Sequence, residues 1–405
     1  MPVPAFGVAS LTRHVPMYTA EFAADPHRVY RELRRRYGSL APVELAPGVP
    51  ATLVVGYRTA VRILNDPEHF PADPRAWQKT VPADSPVLPM LEWRPNAQRS
   101  AGLEHIRYRQ ANVESIADVD LHALHGVVER IAVPLINAFC EDGGADLVSQ
   151  YAFPLAFESV NALLGCPPEI GWRIAAGQAA VWEGVDADEG NRTAAEAVLE
   201  LVRLKRSRPG EDIVSRLVAH PTRLSDEELS HQIVTLYGAG IEPQRNLIAN
   251  ALRLLLTDDR FASGVHGGSL PTHDALDEVL FTDPPGANYC VSYPRQPIVV
   301  DDVWLPAHQP VVVSMAACNN DPAVGAREFT DNRSHLAWSV GPHSCPARSP
   351  AYLIAQGAID QLLDALPEMR LAVPDTELAW RPGPFHRALA ALPVVFPVGR
   401  PLTVP

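Results

Sequence analysis

The chain has 405 residues and a formal net charge of −13, from 34 Lys and Arg against 47 Asp and Glu, which argues against a general nucleic-acid-binding protein. Its hydrophobic content of 47% is enough to bury a sizeable core. The five cysteines are widely spaced, odd in number and without a CxxC pair, so they favour a reducing cytoplasm over a disulfide framework.

The amino-terminal stretch "MPVPAFGVASLTRHVP" lacks the charged and apolar regions of a signal peptide. No run of about 18 apolar residues is present that could span a membrane. We therefore expect a cytoplasmic protein that binds neither membrane nor nucleic acid. The 40 prolines are scattered between helical segments and no composition break marks a boundary, so we expect one large domain over residues 1–405.

Helical periodicity dominates the chain, and strand-like runs are short. Apolar residues recur at helical spacing in six segments, which are Pro26–Arg36, Leu121–Cys140, Asn191–Arg206, Asp226–Leu256, Asp274–Phe281 and Pro350–Leu366. The strand-like runs are "ATLVVG", "PIVV", "PVVVS" and "ALPVVFPV". These patterns predict a mainly α fold with small β-sheets near both ends.

Two polar motifs stand out. In "EHIRYR", His105 and Arg109 are four residues apart, so on a helix they would share one face, and both side chains can donate charge-assisted hydrogen bonds to carboxylates. In "AGIEPQ", Glu242 precedes Pro243 in the middle of a long helix. Proline has no N–H and its ring crowds the carbonyl of Ala239, which predicts a kink there.

The stretch "HLAWSVGPHSCPA" places Cys345 on a Gly/Pro-rich loop just before a helix. Ser349 is expected to cap that helix and Pro350 to occupy its first position. The helix dipole, worth about 0.3–2 kcal/mol, then favours a thiolate.

Such a sulfur could be a buried inert thiol, a nucleophile or a metal ligand. Zinc wants four ligands, and only His343 lies near Cys345. A cysteine protease needs a His that the fold brings from elsewhere. A haem needs one strong axial ligand, and a thiolate serves.

The loop resembles the cysteine-ligand loop of the cytochrome P450s, the haem-thiolate monooxygenases, whose pattern is F-x-x-G-x-x-x-C-x-G. Trp338 stands in the Phe place, Gly341 and Cys345 match, and Ala347 replaces the final Gly. The other motifs follow in the family's order: "EHIRYR" resembles H-x-x-x-R, "AGIEPQ" resembles A/G-G-x-D/E-T-T, and "DEVLFTDPP" resembles the E-x-x-R segment. The correspondence runs from about Asp25 to the C-terminus.

This resemblance implies a set of site residues. Cys345 would be the axial ligand of haem b, and Gly341 would allow close backbone approach. The haem-binding residues implied beside them are His105, Arg109, His335, His343 and, in an ambiguous register, Arg295. Glu242 and Gln244 would be the catalytic residues, relaying protons during dioxygen activation.

Two departures from the family pattern concern function. Phe281 occupies the arginine position of E-x-x-R, so Glu278 lacks its usual partner. Either Arg327 or Arg333 approaches Glu278 instead, or Glu278 is solvated. Pro243 occupies the position of the distal-helix threonine, whose hydroxyl usually helps to deliver protons. For the first departure, a buried carboxylate that loses its charged partner costs roughly 3–5 kcal/mol of stability.

The resemblance implies a monooxygenase of secondary metabolism that acts on a small or medium apolar molecule. Electrons would come from NAD(P)H through a ferredoxin reductase and a ferredoxin. The alternatives are a haem-binding protein with little monooxygenase activity, which would bind ligands or regulate, and a peroxide-driven oxygenase. Candidate pocket segments, mixed apolar and aromatic, are Pro71–Trp93, Ile233–Ile241, Gly286–Tyr293 and Arg381–Ala390.

Overall fold

A computed structural model of the chain describes residues 14–183, 187–261, 271–324 and 332–403. Long helices and three small sheets form the regular secondary structure of these residues. The predicted fold class, mainly α with small β-sheets, is confirmed. The chain divides into two compact units of discontinuous sequence. The first covers Met1–His105, Asp277–Cys345 and Trp380–Ala388, and the second covers Ile106–Leu276, Pro346–Ala379 and Leu389–Pro405. The prediction of one domain over residues 1–405 stays a prediction.

A five-stranded sheet organises the first unit, with strand order β1-β2-β3-β8-β5. Strands β2 and β3 pair as an antiparallel hairpin, β8 adds parallel to β3, and β5 closes the edge antiparallel to β8. A separate two-stranded hairpin joins β6 to β7. The strands of this unit are β1 (Val15–Pro16), β2 (Leu40–Ala46), β3 (Val49–Val54), β5 (Cys290–Ser292), β6 (Ile298–Val300), β7 (Val303–Leu305) and β8 (Val311–Val313).

Apolar side chains on both faces of this sheet are buried against short helices, which gives the first unit its core. Helix α2 packs on β2, and its N-cap Asp25 accepts from the backbone N–H of Arg28 at 3.0 Å. The helices of this unit are α1 (Ala20–Ala24), α2 (Pro26–Tyr37), α3 (Tyr57–Leu64), α4 (Leu88–Leu91) and α13 (Met315–Asn319).

The second unit is helical, with one small sheet in the order β4-β10-β9. Its longest helix, α11, starts with a capping box in which Ser225 and Glu228 satisfy each other's backbone N–H groups. The elements of this unit are α6 (Leu121–Asn137), β4 (Gly144–Asp146), α7 (Phe153–Leu164), α8 (Pro168–Glu183), α9 (Ala187–Ser207), α10 (Ile213–Ala219), α11 (Asp226–Thr257), α14 (Arg348–Ala365), β9 (Arg370–Leu371) and β10 (Pro393–Val395).

Each of two further helices, α5 (Gly102–Ala117) and α12 (Thr272–Thr282), belongs partly to both units. The division follows His105 in α5 and precedes Asp277 in α12. All six predicted helical segments and all four strand-like runs are found, with ends shifted by a few residues. Within the described ranges, no helix combines the length and the apolar character that crossing a membrane requires.

The predicted start of the last long helix is wrong by two residues. Helix α14 begins at Arg348, Ala347 is its N-cap, and no side chain caps it. Pro350 therefore occupies the third helical position rather than the first. It is tolerated there because none of the first four N–H groups of a helix has an intrahelical partner.

Candidate functional site

Backbone contacts hold Cys345 at the end of a tight loop, residues 335–345, which we call the cysteine loop. The N–H of Cys345 donates to the carbonyl of Trp338 at 2.8 Å, and the N–H of Ser344 donates to Gly341 at 3.1 Å. Gly341 has a φ of +74°, and a Cβ there would collide with the carbonyl group of Leu64, so only glycine fits. The sulfur stays partly exposed.

Two imidazoles meet at this loop, one from His105 and the other from His343 of the loop itself. The rings of His105 and His343 are stacked with centroids 4.0 Å apart and planes inclined by 35°. His105 comes from the first turn of α5 and is 6% exposed. The structure thus brings together three of the predicted residues, namely His105, His343 and, two positions on, Cys345.

His335 is buried at the start of the cysteine loop. Its Nδ1 accepts a hydrogen bond from the N–H of Ala337 at 3.3 Å, so in the neutral ring the proton is on Nε2, which is then a donor. The ring of Phe281 meets the ring of His335 edge-on, with centroids 6.0 Å apart. Phe281 therefore orients the histidine.

Helix α12, which carries Glu278, is attached to the cysteine loop and to the residues just before it through Asp277 and Asn319. Arg333 Nε lies 3.0 Å from Oδ2 of Asp277, the neighbour of Glu278, and Asp277 is buried. The side chain of Asn319 accepts from the N–H of Leu336 at 2.7 Å and donates to a carbonyl of α12 at 3.1 Å. The structure places Arg333 on Asp277, next to Glu278 in the chain. Arg327, the other arginine considered for Glu278, lies outside the described residues.

Replacing Phe281 by Arg should destabilise the protein by about 3–5 kcal/mol, because the new guanidinium would be buried where Phe281 is 0% exposed and contacts His335. Phe281→Leu is the matched control and should cost about 1–2 kcal/mol from lost packing alone. Urea unfolding followed by circular dichroism measures both values. A Phe281→Arg variant that melts above the parent would show that Glu278 accepts the new charge, and would contradict this account.

Glu242 has two side-chain donors on its own helix, α11. Its Oε1 accepts from Nη2 of Arg245 at 2.7 Å and from Nδ2 of Asn246 at 3.1 Å. Arg245 has a side chain that is 14% exposed. The sequence prediction missed both donors, although their spacings of three and four residues place them on the helix face of Glu242.

The other predicted catalytic residue, Gln244, has a structural contact. It is buried, and its Nε2 donates to the carbonyl of Ala351 in the first turn of α14 at 3.0 Å. Helix α11 is unbroken through Pro243, so the proline does not end the helix. Gly240 faces Val160 on α7, where a Cβ would lie 2.9 Å from Cγ2, while Gly238 faces open space.

Arg109 and Arg295 complete the set of predicted residues. Arg109 lies one turn beyond His105 on α5 and is partly exposed. Arg295 lies in the connection between β5 and β6 and is exposed. Among the described residues, no cluster of three or more His, Cys, Asp or Glu side chains is arranged to hold a metal ion.

Comparison with known proteins decides the family. No family model matches the sequence. The cytochrome P450 monooxygenase PikC of Streptomyces venezuelae is 30% identical over 394 residues, which cover 94% of this chain and 93% of PikC. The chain belongs to the bacterial cytochrome P450s. It is a haem-thiolate monooxygenase, and its cofactor is a haem.

One further relative and one solved structure are similar to this P450 over more than nine-tenths of its length. The 6-deoxyerythronolide B hydroxylase of Saccharopolyspora erythraea is 27% identical over 398 residues, which cover 92% of this P450 and 96% of the relative. The solved structure of CYP154C4 from Streptomyces sp. ATCC 11861 has a TM-score of 0.86 at 25% identity, and covers 97% of this P450 and 100% of that chain.

The donor set of the cysteine loop fits the haem of a P450. A haem needs one axial sulfur and donors for its two carboxylates. Cys345 forms no disulfide, and the stacked rings of His105 and His343 supply N–H donors beside it. The close contact of Gly341 with the Leu64 carbonyl excludes a side chain at position 341, so the loop presents only backbone at that turn.

Proposed function

We propose that this P450 inserts one oxygen atom from dioxygen into a small or medium apolar molecule of secondary metabolism. Electrons would come from NAD(P)H through a ferredoxin reductase and a ferredoxin, and the cofactor would be haem b. The observation that carries the proposal is Cys345, held by its own backbone three residues ahead of helix α14. Relatives named as hydroxylases and an N-oxygenase support the reaction class. A cytoplasmic location fits five cysteines that form no disulfide.

Cys345 would be the axial ligand. The N–H groups at the start of α14 and the helix dipole favour an anionic sulfur, by about 0.3–2 kcal/mol. When bound, the haem supplies dioxygen activation, which a thiolate ligand promotes by electron donation. Gly341 allows the loop to approach the ring without a side chain between them.

The carboxylates of the haem would be bound by histidine and arginine donors. His105, His343 and Arg109 carry N–H donors suited to carboxylates. His335 would donate through Nε2, because its Nδ1 already accepts from Ala337. Arg295 is exposed and contributes least to this proposal.

Removing His105 or Arg109 should weaken haem retention without changing the axial ligand, because these donors would anchor only the edge of the ring. Each loss of a charge-assisted hydrogen bond should speed haem transfer to apomyoglobin by about tenfold or more. The measurement is the transfer rate for His105→Ala, Arg109→Ala and the double variant, with Arg35→Ala, an exposed arginine of α2, as control. A double variant that keeps haem as long as the parent would show that the propionate assignment is wrong.

Glu242 would deliver protons in this enzyme. Arg245 and Asn246 both donate to its Oε1 and hold the carboxylate in one orientation on α11. Gln244 is engaged with the Ala351 carbonyl, which favours a structural contribution over proton relay. Ordered water would complete the path. Pro243 provides no hydroxyl, and this absence favours the peroxide-driven reaction as the second candidate.

Three of the four candidate pocket segments meet in one apolar cluster of the first unit. Trp77 packs on Tyr293 with ring centroids 5.5 Å apart, and Phe385 packs edge-on against Tyr289 at 5.4 Å. Met90 and Leu91 belong to the same cluster. Aromatic and aliphatic side chains of this kind would suit an apolar ligand.

Titration of the ferric protein with a compound library tests the proposal. A ligand that displaces water at the haem changes the iron spin state, and the absorbance band shifts with it. Each such ligand is then incubated with NAD(P)H, surrogate ferredoxin and reductase, and the product is analysed by mass spectrometry. A gain of one oxygen atom from ¹⁸O₂ is expected. Ligands that shift the spectrum but gain oxygen only with added hydrogen peroxide would establish the peroxide-driven alternative.

A further inference from the structure

A cleft of about 400 Å³ opens in the first unit between helix α2, the end of α12 and helix α13. Its volume is within the roughly 300–1,000 Å³ that small-molecule sites have. The residues that line it are His27, Tyr30, Arg31, Arg34, Thr282, Asp283, Ala317 and Asn320. None of them belongs to the cysteine loop, so the cleft is a different site from the one around Cys345.

One wall of the cleft is basic. His27, Arg31 and Arg34 are four and three residues apart on α2, so they share one helix face. Arg31 is exposed and forms no hydrogen bond or ion pair with another described residue. A basic residue in the last turn of a helix is favoured by the helix dipole, but Arg31 lies ahead of the last turn of α2. Its charge is therefore available to a ligand.

The guanidinium of Arg34 is held in place and still has donors. Nη2 donates to the carbonyls of Val55 and Ala317 at 2.7 and 2.6 Å, and Nη1 has no acceptor among the described residues. Nε is buried there without a hydrogen-bond partner. Oδ1 of Asp321 lies 3.7 Å from Nε, which is beyond hydrogen-bond distance. Unsatisfied charged donors are costly, and an anion in the cleft would accept from them.

The carboxylate that lines the cleft is already engaged. Oδ1 of Asp283 lies 2.7 Å from Nε2 of His27 and 3.3 Å from Nε of Arg387. Arg387 is buried, so its charge is directed at Asp283 rather than at solvent. Asp283 thus has its own cationic partner and leaves Arg31 to an external anion.

The opposite wall offers hydrogen-bond acceptors. Nδ2 of Asn320 donates to the carbonyls of Thr282 and Ala316 at 3.1 and 2.9 Å, which leaves Oδ1 as an acceptor. The Thr282 hydroxyl donates to the carbonyl of Glu278 at 2.8 Å, so its oxygen can accept from a ligand. A molecule that satisfies both walls has an anionic group at one end and hydroxyl groups at the other.

We propose that this cleft binds a small, soluble phosphate monoester that carries hydroxyl groups. The phosphate would be bound by Arg31 and Arg34, and the hydroxyl groups would donate to Asn320 and Thr282. Two guanidinium groups suit a phosphate monoester, with its charge of about −1.5 to −2 near neutral pH, better than a singly charged carboxylate. Binding at this site is independent of the oxygen chemistry of the haem.

Isothermal titration calorimetry on the haem-loaded protein at constant ionic strength tests the proposal. The probes are glucose 6-phosphate, glucose and gluconate, which differ in charge at similar size. The parent should bind glucose 6-phosphate at least about tenfold more tightly than either of the others. Arg31→Gln should weaken that binding about tenfold, and Arg31→Glu should weaken it further because like charges repel. Arg35→Gln is the matched control, since Arg35 is exposed on the same helix and does not line the cleft.

Thr282→Val tests the opposite wall. It should weaken glucose 6-phosphate several-fold and leave the affinity for inorganic phosphate unchanged, because only the ester has hydroxyl groups to lose a partner. Thermal unfolding gives an independent readout: the ester should raise the Tm of the parent and of Arg35→Gln, but not that of Arg31→Glu.

Three results would overturn the proposal. The first is no binding of glucose 6-phosphate by the parent at millimolar concentration. The second is an equal loss in Arg31→Gln and Arg35→Gln, which would indicate a diffuse charge effect. The third is gluconate binding as tightly as the ester. Vesicles containing phosphatidic acid are measured separately, because a lipid headgroup carries the same group; vesicle binding without binding of the soluble ester would also contradict the proposal.

Discussion

Replacing Pro243 with Thr should raise the share of NAD(P)H electrons that reach oxidised product, with a similar ferric spectrum. Threonine supplies the hydroxyl that proline lacks, and its N–H can bond to the carbonyl of Ala239 because α11 is already helical through this turn. The parent should release hydrogen peroxide or superoxide in place of much of its product. The measurement is the ratio of product to NAD(P)H consumed, together with the hydrogen peroxide formed.

Pro243→Val is the control for this effect, since valine has the shape of threonine and restores the N–H without a hydroxyl. Equal improvement in both variants would assign the gain to the helix backbone rather than to proton delivery. Parent turnover that is already tightly coupled, and falls in Pro243→Thr, would mean that another group relays the proton. Glu242→Gln would then be expected to abolish coupling, and Arg245→Gln to reduce it, because Arg245 orients the carboxylate.

Local signals predicted the elements and the cysteine loop. The helix of Asp226–Thr257 has both a capping box and apolar periodicity, so its start was found to the residue. Gly341 could be predicted as a backbone position, because a glycine in a tight loop before a helix marks a conformation with positive φ, and the observed value is +74°. The family resemblance placed His105 and Arg109 on a helix, and the structure puts both on α5.

Side-chain partners distant in sequence could not be predicted. The pairing of Arg333 with Asp277 was not predicted, because neighbouring helical residues point in directions about 100° apart and a sequence does not state which one faces the loop. The stacking of His343 on His105 depends on where the fold places two segments more than 200 residues apart.

Contacts of three kinds hold the loop that carries Cys345. Phe281 packs on His335, Arg333 pairs with Asp277, and Asn319 accepts from the backbone of Leu336. We infer that these contacts fix the loop in a chain that has Phe281 at the family's arginine position.

The thiolate of Cys345 is the central claim, and substitution of this one sulfur should have the largest effect of all. Cys345→Ala removes the only cysteine of the loop that the backbone holds ahead of α14. A haem without a thiolate ligand loses the electron donation that the enzyme's chemistry requires, so product formation should fall to background. Cys140 and Cys166 are buried elsewhere and form no disulfide, so Cys140→Ala and Cys166→Ala are matched controls.

The absorbance of the reduced, carbon-monoxide-bound protein is the measurement that tests this claim most directly. The parent, Cys140→Ala and Cys166→Ala should show the red-shifted Soret band of thiolate ligation, and Cys345→Ala should lose it. A Cys345→Ala protein that binds haem and keeps the red-shifted band would contradict the account.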